Sequence, residues 1–116
     1  MNAPGTNDSV LPVIDITVVV PVYNEEESLG PLWEALRAAL DAFGRPWEVL
    51  FCDDGSKDSS PEVLRALAAS DRRVRVVLFR RNFGQSAAMA AGFDHARGKI
   101  VVPIDADLQN DPKDIG

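Results

Sequence analysis

Four short runs of β-branched and other apolar residues recur along this chain, each separated from the next by room for one helix. They are "IDITVVVPVY" (14–23), "WEVLFC" (47–52), "VRVVLF" (74–79) and "KIVVPI" (99–104). Short, nearly continuous apolar runs of this kind suit strands covered on both faces. Between the first two, Leu29, Leu32, Trp33, Leu36, Leu40 and Phe43 recur every three or four residues, the spacing of one helix face. Glu25, Glu26 and Glu27 stand at its start, where the helix dipole favours negative charge, and Gly44 with Pro46 marks its stop. Ser60 before Pro61 predicts a cap and first turn, with Ser59 and Glu62 as an alternative capping box; Val63, Leu64 and Leu67 give this second helix its buried side. "QSAAMAAGFDHA" predicts a third helix whose small residues let it approach a sheet closely. The order β-α-β-α-β-α-β with short connections predicts an α/β fold, a mostly parallel sheet with helices on both faces.

Such sheets bind ligands beyond the carboxyl ends of their strands, near a reversal of strand order. The loops at that edge are "PVYNEEE", "DDGSKDSS", "RRNFGQS" and "DADLQNDP", all crowded with polar groups, whereas "FGRP" and "ASDRR" at the other edge are generic. One binding cleft is therefore expected. In the last loop, Asp105 and Asp107 are separated by Ala106 alone, and carboxylates so close repel unless a proton or cation intervenes. Mg2+ or Mn2+ takes such oxygen ligands, and Gln109 adds a carbonyl oxygen; the same loop also reads as a polar turn whose aspartates cap nearby backbone. Asp53 and Asp54, with Gly55 making the turn, can accept hydrogen bonds from a ribose or base, or serve as turn caps. Arg80 and Arg81 fall on the binding edge and suit phosphate, while Arg72, Arg73 and Arg75 are expected to form a solvated face. His95, the only histidine, has no catalytic constellation around it. No G-x-G-x-x-G follows the first strand and no P-loop motif occurs, so neither the dehydrogenase nor the P-loop fingerprint is present.

At 116 residues and 46% hydrophobic, the chain can build one domain with a real core. Its net charge of −6 argues against nucleic acid as a partner. Cys52 is the sole cysteine, which excludes an intrachain disulfide and fits a buried position in a reducing, cytoplasmic compartment. Residues 1–13 carry no secretory signal and are expected to form a flexible tail; the domain is expected over 14–116 and to continue past Gly116. No apolar run nears the roughly 20 residues of a membrane span.

Taken in order, "VVVPVYNEEESL", "DDGSKDSS", "RRNFGQSAAMAAGFDHARG" and "DADLQNDP" resemble the successive blocks of family-2 glycosyltransferases with the GT-A fold. The nearest likeness is to the branch of dolichol-phosphate mannose synthases and bacterial polyprenyl-phosphate glycosyltransferases, and it runs from about residue 16 to the end. The resemblance implies a Rossmann-like, nucleotide-sugar-binding GT-A half. It implies inverting transfer from a UDP- or GDP-linked sugar to a lipid phosphate, at the cytoplasmic face of a membrane reached through segments beyond Gly116. By the same likeness Pro21, Tyr23 and Glu25 line the nucleotide, and Phe51 and Asp53 flank and hydrogen-bond its base. Asp105, Ala106 and Asp107 hold the ribose and, through Mg2+ or Mn2+, the donor diphosphate; Asp107 is the implied catalytic residue and Gln109 a further metal ligand. Arg81, with Asn82 and Gly84, matches the third block and is placed with the donor. Two other expectations stand beside this one. The chain could be a nucleotide-binding fragment without transfer activity, or a phospho-receiver signalling domain, whose acidic cluster Asp53, Asp54 and Asp105 imitate.

Overall fold

The computed structural model describes residues 13–106. Strands β1 (Ile16–Val22), β2 (Trp47–Asp53), β3 (Val74–Leu78) and β4 (Ile100–Pro103) alternate with helices α1 (Leu29–Phe43), α2 (Ser60–Ser70) and α3 (Gln85–His95). All neighbouring strands are parallel, in the order β3-β2-β1-β4. The most apolar runs take the central places: all seven residues of β2 are buried.

Strand alternation sends the two sets of side chains to different helices. Val18, Val20, Val22, Trp47, Val49 and Phe51 pack against the apolar stripe of α1 and Leu64 of α2. On the opposite face Val19, Leu50 and Cys52 meet Ala88 of α3. The small residues of α3 permit this approach, since a Cβ at Gly92 would fall inside the Val19 side chain and press on Cys52 Sγ. Burial pushes the Cys52 thiol up to about 11, which leaves it a packing residue and no nucleophile at neutral pH.

Three local expectations are corrected. Helix α1 begins at Leu29, so Glu25, Glu26 and Glu27 lie in the loop before it and not in its first turn. Neither serine caps α2: Ser59 occupies the N-cap position without a side-chain bond, and buried Ser60 instead accepts the Glu25 N–H at 2.9 Å. The arginines also divide differently. Arg72 is exposed, but Arg73 lies 3.9 Å over the Trp47 ring, and Arg75 reaches a buried carboxylate, Glu48.

Glu48 turns the supposedly generic edge into a structural knot. Burial acts to raise its pKa. Hydrogen bonds from Thr17 Oγ1 (2.6 Å), the Arg97 N–H (2.9 Å) and the Arg97 and Arg75 guanidinium groups (2.9 and 3.1 Å) outweigh that and hold the carboxyl below its usual range. Gly98 N–H donates to Thr17 Oγ1 at 2.8 Å. One side chain thus joins β1, β2, β3 and the turn into β4, and so helps fix where β4 begins.

Candidate functional site

The chain winds outward from β1 to β2 and β3, then returns to place β4 on the other side of β1. At the carboxyl ends of β1 and β4, where this reversal occurs, a cleft of about 80 Å3 is lined by Pro21, Val22, Tyr23, Glu25, Asp54, Gln85 and Asp105. It is too small to enclose a sugar nucleotide, which would lie along it and extend past these residues.

The β2–α2 loop is the hub that holds the cleft walls. Asp53 Oδ1 accepts the Ser56 hydroxyl at 2.6 Å and Oδ2 the Ser56 N–H at 3.0 Å. Ser56 Oγ in turn accepts the Asn24 N–H at 2.8 Å, and Asn24 Oδ1 accepts the Lys57 N–H at 2.8 Å. Asn24 adopts a φ of 53°, a left-handed conformation that asparagine tolerates. These bonds pin the β1–α1 loop, with Tyr23 at its head, to the end of β2.

Asp54 holds the other wall. Its Oδ1 accepts the Phe83 N–H at 2.7 Å, and its Oδ2 accepts the Gly84 N–H at 3.0 Å and the Asn82 amide at 2.9 Å. Gly55, at φ 73°, lets the two loops cross, because a Cβ there would collide with the Arg81–Asn82 backbone. The "DDG" triplet therefore sends the Asp54 carboxylate to the β3–α3 loop, reaches the β1–α1 loop from Asp53 through Ser56, and passes the Arg81–Asn82 backbone on a glycine.

Of the residues expected from the sequence, Pro21, Tyr23, Glu25 and Asp105 come together at the cleft. Tyr23 is 40% exposed there, and Asp105 is exposed beyond the end of β4. Phe51 is wholly buried beneath α1 and α2, so its ring presents no surface to a base. Asp53 is buried against Ser56, and Ala106 is buried in the same core as Phe51. Arg81 does not line the cleft; its guanidinium sits 4.7 Å from the Phe83 ring centroid. Asp107 and Gln109 lie outside the described residues. Asp54, read with Asp53 as an acceptor for a ribose or base, is the one of the two that lines the cleft, and Gln85 was not singled out from the sequence. Strand alternation could have told the two aspartates apart, since Asp54 falls on the Cys52 side, toward α3, while Asp53 follows Phe51.

Among the described residues no three His, Cys, Asp or Glu side chains gather closely enough to hold a metal ion. The cleft's carboxylates and the Gln85 amide nevertheless offer oxygen donors, the set chosen by Mg2+ or Mn2+ rather than by a thiophilic metal. With Asp105 supplying one carboxylate, the chemistry fits a hard divalent cation.

A parallel sheet of this order, with a polar cleft at the reversal and acidic strand ends, is an α/β unit of the GT-A type. Residues 17–116 match the family model described as "Glycosyl transferase family 2", and the chain belongs to that family. This assignment removes the phospho-receiver alternative. The chain is 46% identical, over 96% of its length, to a dodecaprenyl-phosphate galacturonate synthase of Rhizobium johnstonii, of which it covers 33%. It is also 46% identical, over 90% of its length, to an undecaprenyl-phosphate 4-deoxy-4-formamido-L-arabinose transferase of Salmonella enteritidis, covering 32% of that protein. It thus spans about a third of the length of these curated relatives. Among solved structures, a mannosyltransferase of Pyrobaculum calidifontis in complex with GDP-Man and Mn2+ superimposes with a TM-score of 0.62 at 30% identity, over 83% of this chain and 28% of that one. S. aureus TarS 1–349 in complex with UDP-GlcNAc has a TM-score of 0.67 at 22% identity, over 81% of this chain and 27% of that one, and shares the fold.

Proposed function

We propose that this chain is the donor-binding portion of an inverting glycosyltransferase that moves a sugar from a UDP- or GDP-linked donor to a polyprenyl phosphate. The observation that carries the reading is the acidic cleft at the strand-order reversal, in a chain 46% identical to two polyprenyl-phosphate sugar transferases. The Tyr23 ring, held by the Asn24–Ser56–Asp53 relay, lies beside the base or ribose. Glu25 and Asp54 offer acceptors to the nucleoside, and Gln85 can donate to it.

Glu25, Asp54 and Asp105 would repel a donor diphosphate at close range, so binding calls for a cation between them. Asp105, with Asp107 and Gln109, would hold Mg2+ or Mn2+, with Asp107 the residue on which transfer most depends. When bound, that ion acts as a Lewis acid that neutralises the diphosphate and stabilises the departing nucleotide. A polyprenyl phosphate is already anionic, so its oxygen can attack the anomeric carbon without a general base on the protein. Attack opposite the leaving group inverts the anomeric centre. The reading places the protein at the cytoplasmic face of a membrane; no helix among the described residues is long and apolar enough to cross one.

Calorimetric titration of the chain with UDP and GDP, in Mn2+ and then in EDTA, tests this. Binding of at least one nucleotide that disappears with the metal and with Asp107→Ala is expected. Binding of equal strength in both buffers would overturn the metal assignment.

A further inference from the structure

The β3–α3 loop leaves the same edge of the sheet as the cleft, from the outermost strand. Phe83 at its tip is 55% exposed and Leu78, at the end of β3, is 38% exposed. Phe79 meets the Phe83 ring edge-on at 5.6 Å, and the Arg81 guanidinium covers one side of it. The chain's other arginines mostly find carboxylates: Arg37, Arg45, Arg73, Arg75 and Arg97 each have one within 3.1 Å. Arg80 and Arg81 form no ion pair among the described residues, although the protein as a whole is acidic. Nor is the loop loosely held, because Asp54 fixes the Asn82 side chain and the Phe83 and Gly84 N–H groups. An aromatic ring held out on a pinned backbone, flanked by two guanidinium groups that no described carboxylate pairs, matches the lipid–water boundary. There the ring enters the acyl region and the cations meet headgroup phosphates.

We propose that this loop docks the protein on an anionic membrane, inserting Phe83 and seating Arg80 and Arg81 on lipid phosphates. The inference rests on the reading of the acceptor as a lipid phosphate, and it gives the donor-binding portion its own membrane contact. Docked in this way, the cleft edge faces the bilayer that holds the acceptor.

Co-sedimentation of the full chain with vesicles tests the proposal, comparing pure phosphatidylcholine with a phosphatidylcholine–phosphatidylglycerol mixture. Binding to the mixed vesicles that weakens with salt is expected. Arg80→Gln should lower the partition coefficient about fivefold, and Arg80→Gln with Arg81→Gln about fivefold more. Phe83→Ser should lower it as well, while leaving nucleotide affinity in calorimetry unchanged. No binding to mixed vesicles, equal binding to neutral ones, or binding indifferent to these substitutions would overturn the proposal. So would an Arg81→Gln variant that loses nucleotide affinity while keeping its vesicle affinity, since Arg81 would then serve the donor. The two readings fail separately. Vesicle binding that follows the loop in a chain without nucleotide affinity refutes the donor assignment alone, and the converse refutes the docking loop alone.

Discussion

Replacing Glu48 by alanine should cost the fold heavily while leaving nucleotide binding intact. The substitution strips the Thr17 hydroxyl and the Arg97 N–H of their acceptor in the interior and leaves two guanidinium groups without their carboxylate. Breaking a buried pair from one side costs about 3–5 kcal/mol. Arg75 and Arg97 are 30% and 44% exposed, so water recovers part of their charge, and about 2–4 kcal/mol is the better expectation. For a domain of this size that is a fall in Tm of about 10–20 °C. Thermal melts followed by circular dichroism measure it. The effect should fade in acid. The folded-state pKa of Glu48 lies below its ordinary value of 4.5, so its contribution is fully present above that pH and is lost as pH falls through the folded value. Glu48 lies roughly 17 Å along β2 from Asp53, and the variant should bind nucleotide normally below its melting range. A Tm change under about 3 °C at neutral pH would refute the reasoning, because the knot would then be idle.

Two further outcomes follow from the loops. Asp54→Ala should speed amide exchange at Phe83 and Gly84 and destabilise the protein by about 2–3 kcal/mol, measured by urea unfolding; unchanged exchange would show that the β3–α3 loop does not depend on this carboxylate. These 116 residues, about a third of the length of their relatives, should bind donor yet fail to transfer sugar to polyprenyl phosphate; turnover in the ordinary range of about 1–10³ s⁻¹ would contradict that.

The strands and helices were legible because their signals are local. Apolar runs gave all four strands to within two residues at either end, and the Leu29-to-Leu40 periodicity gave the buried face of α1. The parallel sheet followed from element order, whereas the return of β4 to the side of β1 is a long-range choice that no short stretch encodes. The cleft was legible in outline, as polar strand ends. Its division of labour was not, because adjacent aspartates look alike until alternation separates them. Asp53 turns to Ser56 and Asp54 to the Phe83 and Gly84 N–H groups, partners 29 and 30 residues away in the latter case. Phe51 read as a base contact on family resemblance, yet its strand position sends the ring under α1. Arg75 and Glu48 read as ordinary surface and strand residues; only the three-dimensional meeting of β2, β3 and the α3–β4 turn shows them as partners.

The central claim is that a sugar nucleotide occupies the carboxyl edge of the sheet at the β1–β4 reversal. Two-dimensional NMR of the isotope-labelled chain, titrated with UDP or GDP and Mg2+, tests it most directly. The account predicts shift changes concentrated at Tyr23, Glu25, Asp54, Gln85 and Asp105, with Glu48, Arg72 and Arg97 unmoved. Changes centred on Glu48, Arg72 and Arg97, or none with either nucleotide, would contradict it.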